Sequence, residues 1–223
     1  HTGLFCSDVI DLTVYDSLFT HNLKGVRGVR EDNTQCNAHL YAGCVVNGNS
    51  GQGYLIDYPT TLMILGGDCS HNGGNDTYNA GIFVNGNPLE GRSGLVCIGT
   101  YFERNKGNAD IYIAANTANP GVHTIQGCTF NRIDGTDFVT NNIVLDKSGS
   151  GRTILNVIGC GFDGFNNYTP NASRKYIDVI NATDTNWNVN LFGNFYGSSI
   201  EAPDIGGTRA SEKYGLAAYV RFN

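Results

Sequence analysis

Charge is the first thing this chain has little of. Asp, Glu, Lys and Arg make up only 15% of its 223 residues, Met and Trp occur once each, and Pro five times. Exposed helices draw on Glu, Lys, Ala and Leu, so this scarcity argues against a helical protein. A basic excess is missing as well: 14 Lys and Arg stand against 20 Asp and Glu, a net charge of −6. Nucleic-acid binding relies on clustered cations, and no such partner is expected. No apolar run nears the roughly 18 residues of a membrane span, so no membrane insertion is expected. The cysteines never fall as CxxC, which removes the usual zinc and redox spacings. Walker, HExxH, GxSxG and EF-hand patterns are missing too, and neither metal nor cofactor is expected. Neither an initiator Met nor a signal-like stretch opens the chain, as expected of a fragment or a processed product.

What is abundant points one way. Gly numbers 30, Asn is frequent, and 40% of the residues are apolar. Gly and Asn tolerate the left-handed backbone of tight turns, which suits many short strands around one core. The fold class is therefore all-β. The seven cysteines, Cys6, Cys36, Cys44, Cys69, Cys97, Cys128 and Cys160, read as buried free thiols acting as small apolar side chains. A chain folding in a reducing compartment can use cysteine this way.

A degenerate repeat decides the architecture. The template apolar-x-apolar-x-Gly-x-x-aromatic runs through Leu62 to Cys69, Leu95 to Phe102, His123 to Phe130 and Leu155 to Phe162, with a variant from Leu12 to Phe19. A shortened copy spans Val189 to Phe195. From Leu62 onward the copies lie 28 to 34 residues apart. A second strand lies between them, as Ile82-Phe-Val84, Ile111-Tyr-Ile113, Ile143-Val-Leu145 and Ile177-Asp-Val179. Ala42 to Asn49 and Ala80 to Asn87 read as near copies of one another. One coil cannot bury its own apolar face, whereas stacked coils about 4.8 Å apart pair every strand edge. The expectation is a right-handed parallel β-helix of about seven coils over residues 1–197. Residues 198–223, where Pro203, Gly206 and Gly207 break the template, are expected to form a short irregular cap or the start of a further domain.

Stacking also predicts a surface. Phe19, Cys69, Phe102, Phe130 and Phe162 should make an interior ladder, and Asn22, Asn72 and Asn105 a turn ladder. The position after the aromatic, Thr20, Ser70, Glu103, Asn131 and Asp163, should face outward. Glu103 and Asp163 would then lie two coils apart with Asn131 between them. Inverting glycosidases hold two carboxylates roughly 6.5 to 9.5 Å apart, which makes Glu103 and Asp163 candidate catalytic residues, with Asp68 one position before the aromatic on the same face. Tyr101, Arg104, Arg132, His71 and Asn131 are the candidate substrate-binding residues; Arg and His at the next position could grip an anionic sugar. Tyr15, Tyr101, Tyr112, Tyr168, Tyr176 and Tyr196 are expected at outward or turn positions.

The Gly-x-x-Phe coils, Asn-rich turns, low charge and reduced-looking cysteines resemble bacteriophage tailspikes with pectin-lyase-like β-helices, over roughly residues 8–197. That resemblance implies a homotrimer in the virion tail that attaches to bacterial surface polysaccharide, capsule or O-antigen, and hydrolyses it as a depolymerase. A receptor-binding adhesin without catalysis and a structural virion shaft are the alternatives. The calcium-binding acidic cluster and Arg signature of plant-type pectate lyases are not apparent.

Overall fold

The computed structural model describes residues 1–29, 37–74, 80–86, 93–131, 141–163, 175–182, 186–196 and 205–206. Its strands form three sheets of eight, seven and seven strands, and every pairing is parallel between one coil and the next. In chain order each coil contributes one strand to sheet 1, one to sheet 2 and one to sheet 3. The fourth coil, for instance, consists of Ala80–Asn85, Leu95–Ile98 and Tyr101–Glu103. Strands that return to the same side of a tube this way make a parallel β-helix, with no hairpin among the described residues. Ile205–Gly206 adds an eighth strand to sheet 1 beside Lys175–Ile180, so sheet pairing reaches past residue 197. The rest of 198–223 lies outside the described residues.

The core follows from alternation. In sheet 2 the strand pattern is buried, half-buried, buried, half-buried, as in Leu62–Leu65, because successive Cβ atoms point to opposite faces. The inward positions stack as Val14, Tyr41, Ile64, Cys97, Ile125, Val157 and Leu191. In sheet 1 the recurring apolar triplets fall into register as Ile82, Ile111, Ile143 and Ile177. Sheet 3 carries the aromatic ladder: Phe102, Phe130 and Phe162 stack with centroids 4.9 Å apart and planes within 10° of parallel. Six cysteines, all but Cys36, are buried and free among the described residues. Burial pushes the Cys69 thiol well above its ordinary range. Cys36 lies outside the described residues.

Three assignments made from the sequence change. The coil between Phe19 and Cys69 is a full one: His39–Ala42 and Val45–Asn47 pair on both sides, with Val46 in the aromatic column. Val46 is apolar but not aromatic, and His39 occupies an apolar position, so the template hides this coil. Ala42 to Asn49 is therefore not equivalent to Ala80 to Asn87. The first string bends at Gly43, whose φ is +65°, from sheet 2 into sheet 3, whereas Ala80–Asn85 is one straight strand of sheet 1. Finally, Tyr196, not Phe195, pairs with Phe162. Phe195 pairs with Gly161 and is exposed. The last repeat thus keeps full length and puts Tyr196 at the aromatic position.

The connection from sheet 2 to sheet 3 always has two residues. Its first residue is left-handed in every coil: Asp16, Gly43, Gly66, Gly99, Gly127, Gly159 and Gly193 have φ between 44° and 67°. This conformation explains the template glycine, because a Cβ is disfavoured there. At the corner from sheet 3 to sheet 1, asparagine side chains take the Asn N–H groups of the preceding coil, while the Asn22, Asn49 and Asn72 carbonyls still accept backbone N–H groups from the next one. The Asn22 N–H donates to Oδ1 of Asn49 (2.9 Å), the Asn49 N–H to Oδ1 of Asn72 (3.2 Å), and the Asn72 N–H to Oδ1 of Asn105 (3.0 Å). The Asn105 amide ends the run by donating to Asp110 (2.9 Å), whose other oxygen accepts from Asn142 (2.8 Å).

Candidate functional site

The outer side of sheet 3 is built by the same register. Asn47, Ser70, Glu103, Asn131 and Asp163 lie side by side in consecutive coils, continuing from Thr20. Tyr101 stands one coil from Asp68 and one from Thr129. The expected register column therefore exists, with Asn47 as a further member, but Ser70 within it is buried rather than facing outward. Glu103 and Asp163 are two coils apart, so their backbones are separated by about 10 Å.

Across these two neighbouring columns the side chains of three residues form one network. The Tyr101 hydroxyl donates to Oε2 of Glu103 (2.9 Å) and accepts from Nδ2 of Asn131 (2.8 Å). Burial raises the Tyr101 hydroxyl above its ordinary pKa; the Asn131 donor offsets part of this, and the neighbouring Glu103 carboxylate adds to it. Nε of Arg104 lies 3.7 Å from Oε1 of Glu103. The Ser70 hydroxyl donates to Oδ1 of Asp68. Local order thus comes from side chains one or two residues apart on short strands, tied across one coil step by Tyr101 and Asn131.

The basic column is less continuous than its sequence suggests. His21, His71 and Arg104 occupy left-handed positions just past the strands, with φ of 58°, 57° and 50°. Gly48 interrupts the file between the two histidines. His71 is exposed and its N–H donates to the Glu103 carbonyl (2.8 Å). Arg104 lies against Glu103, with Nε 3.7 Å from Oε1. Arg132 lies outside the described residues, as does Tyr168, and the Asp163 strand is described without its side chain. Of the other tyrosines, Tyr15 is exposed. Tyr176 is buried against Phe162 in the core (centroids 5.3 Å apart), contrary to its expected outward position. Tyr112 does face away from the core column but is covered, stacking on Phe83 and donating to Asp146 (2.8 Å).

A second feature was not legible as a motif. The middle strands of sheet 1 are buried on both faces, and beside this covered patch runs a groove of about 530 Å³. Its apolar side includes Leu55 and Phe83, and its polar wall includes Asp57, Asn85 and Asp146. The wall residues lie in one register column, Asp57, Asn85, Ala114, Asp146, whose varied residue types gave the sequence no recurring letter to find. Among the described residues, no group of three or more His, Cys, Asp or Glu side chains could hold a metal. No described helix is long and apolar enough to cross a membrane. No family model, curated protein or solved structure matches this chain.

Proposed function

We propose that this chain is a tailspike-type segment that binds bacterial surface polysaccharide along the outer side of sheet 3 and hydrolyses it between Glu103 and Asp163. The observation that supports this most is the column Glu103, Asn131, Asp163, paired residue by residue along sheet 3. A linear polymer laid along the solenoid axis meets a new polar group about every 4.8 Å. Two carboxylates separated by two coils leave room for a sugar ring and a water, as inversion requires. Glu103, oriented by the Tyr101 hydroxyl at Oε2 and with Arg104 3.7 Å from Oε1, is assigned the general base. It takes a proton from water as that water attacks the anomeric carbon. Asp163 gives a proton to the departing glycosidic oxygen, and Asp68 lines the approach.

The test is incubation with capsular polysaccharide and with lipopolysaccharide, following new reducing ends and retention on the immobilised polymer. Glu103→Gln should lower cleavage by roughly 10²- to 10⁴-fold, the usual range for a general acid or base, while retention persists. Cleavage unchanged by Glu103→Gln and Asp163→Asn would remove these residues from the mechanism. One observation favours a second reading, attachment without cleavage: Tyr101 already occupies both Glu103 and Asn131. Retention with no new reducing ends selects that reading. If neither retention nor cleavage occurs, both fail.

A further inference from the structure

We propose that the groove on the outer side of sheet 1 is a second ligand site, separate from the sheet 3 column, that takes an uncharged, hydroxyl-rich saccharide segment. Its volume of about 530 Å³ lies within the ~300–1,000 Å³ of small-molecule sites. It is elongated, because its lining comes from five successive coils, from Lys24 to Ser148. The apolar side and the wall have opposite characters. Half-buried Leu55 offers an apolar patch to the C–H face of a pyranose, with the nearly buried Phe83 and Ala114 behind it. Asp57, Asn85, Asn116 and Asp146 bring planar carboxylates and amides, which pair well with adjacent hydroxyls because each accepts or donates at two atoms.

The wall is already ordered. Nδ2 of Asn116 donates to Oδ1 of Asn85 (3.2 Å), and Nδ2 of Asn85 donates to Oδ1 of Asp57 (3.3 Å). At the far end Asp146 accepts from Tyr112 (2.8 Å) and from Asn181 (3.0 Å). Polar groups held before binding need little further ordering when a ligand arrives. Charge sets the preference. Among the described residues the cations Lys24 and Arg27 both act on Asp57, whereas Asp146 at the other end is met by the neutral donors Tyr112 and Asn181, so a uronate or sialate would be repelled at the Asp146 end.

The experiment uses the whole chain and amide NMR spectra. The uncharged probes are maltohexaose, xylohexaose and N-acetylchitohexaose; hexagalacturonate is the acidic probe. At least one uncharged probe is expected to shift the side-chain amide signals of Asn85 and Asn116, and hexagalacturonate is not. Ser148→Trp and Asn116→Trp, both at exposed positions of the lining, should weaken that binding by tenfold or more with the backbone spectrum preserved. Glu103→Gln should leave it unchanged. The proposal is overturned if no uncharged probe shifts those signals, if hexagalacturonate shifts them equally, or if both tryptophan variants bind normally. Loss of polysaccharide cleavage in Glu103→Gln with groove binding intact would tell the two sites apart.

Discussion

His123 shows how one side chain can make a neutral core depend on pH. It is buried in a column with Leu62, Leu95, Leu155 and Val189. Its Nδ1 accepts the Leu95 N–H (3.3 Å), so the ring must be neutral there. Burial lowers its pKa to about 4, below the ~6.5 of an unfolded histidine. Between those values the unfolded chain binds the proton and the folded chain does not, so stability rises with pH. The contribution is complete above about pH 6.5 and is lost as pH falls toward 4, by an amount on the order of 3 kcal/mol. Urea unfolding at pH 7 and pH 4.5 should show this drop. His123→Gln keeps an acceptor for Leu95 without a titrating ring and should reduce the difference. An equal drop in the variant would assign the effect elsewhere; His39, whose pKa burial also lowers, is the next group to test.

At the scale of elements, the seven two-residue corners separate conformational cost from steric cost. A Cβ on Gly127 would meet nothing within 4 Å, so Gly127→Ala is charged only with its φ of 60°, about 1–2 kcal/mol. A Cβ on Gly67 would lie 2.0 Å from the Cys44 carbonyl oxygen, where backbone meets backbone and neither can move aside. Gly67→Ala is therefore expected to lose far more stability or fail to fold, as read by thermal melting beside Gly127→Ala. Equal melting temperatures would contradict this account. These corners were legible because every described repeat but the first uses Gly at the same place. Asp16, the exception, also adopts a positive φ, as Asp does more readily than most residues. The coil through His39 and Val46 was hidden for the converse reason: a closed core accepts any residue that fills its space, so a polar His or a smaller Val erases the letter pattern without changing the fold. The sheet 3 column could be read because it flanks a recurrent aromatic. The sheet 1 groove could not, since its wall mixes Asp, Asn and Ala at one register position.

The described strands form a single stack in which each coil pairs with its neighbours. Stability then behaves as a sum of coil and interface contributions. Phe130 sits at such an interface, between two rings 4.9 Å away. Phe130→Ala should cost about 3–5 kcal/mol, and hydrogen exchange should report where. Amides of Tyr101–Glu103 and Gly161–Asp163 are expected to exchange faster, with much smaller change at Val26 and Val46 in the early coils. Uniform acceleration along the chain would mean that the solenoid opens as one unit.

Equivalent asparagines along the stack lie from 23 to 33 residues apart, yet the sheet 2 to sheet 3 link never departs from two residues. Variation in length falls outside this link, above all in the other two corners. Each passage through the fixed corner brings the chain back into phase, so a longer or shorter loop upstream leaves the next rung where it was. Mistakes in length do not accumulate. Peptides spliced into the variable corners should therefore be carried outside the tube while its rungs stay aligned.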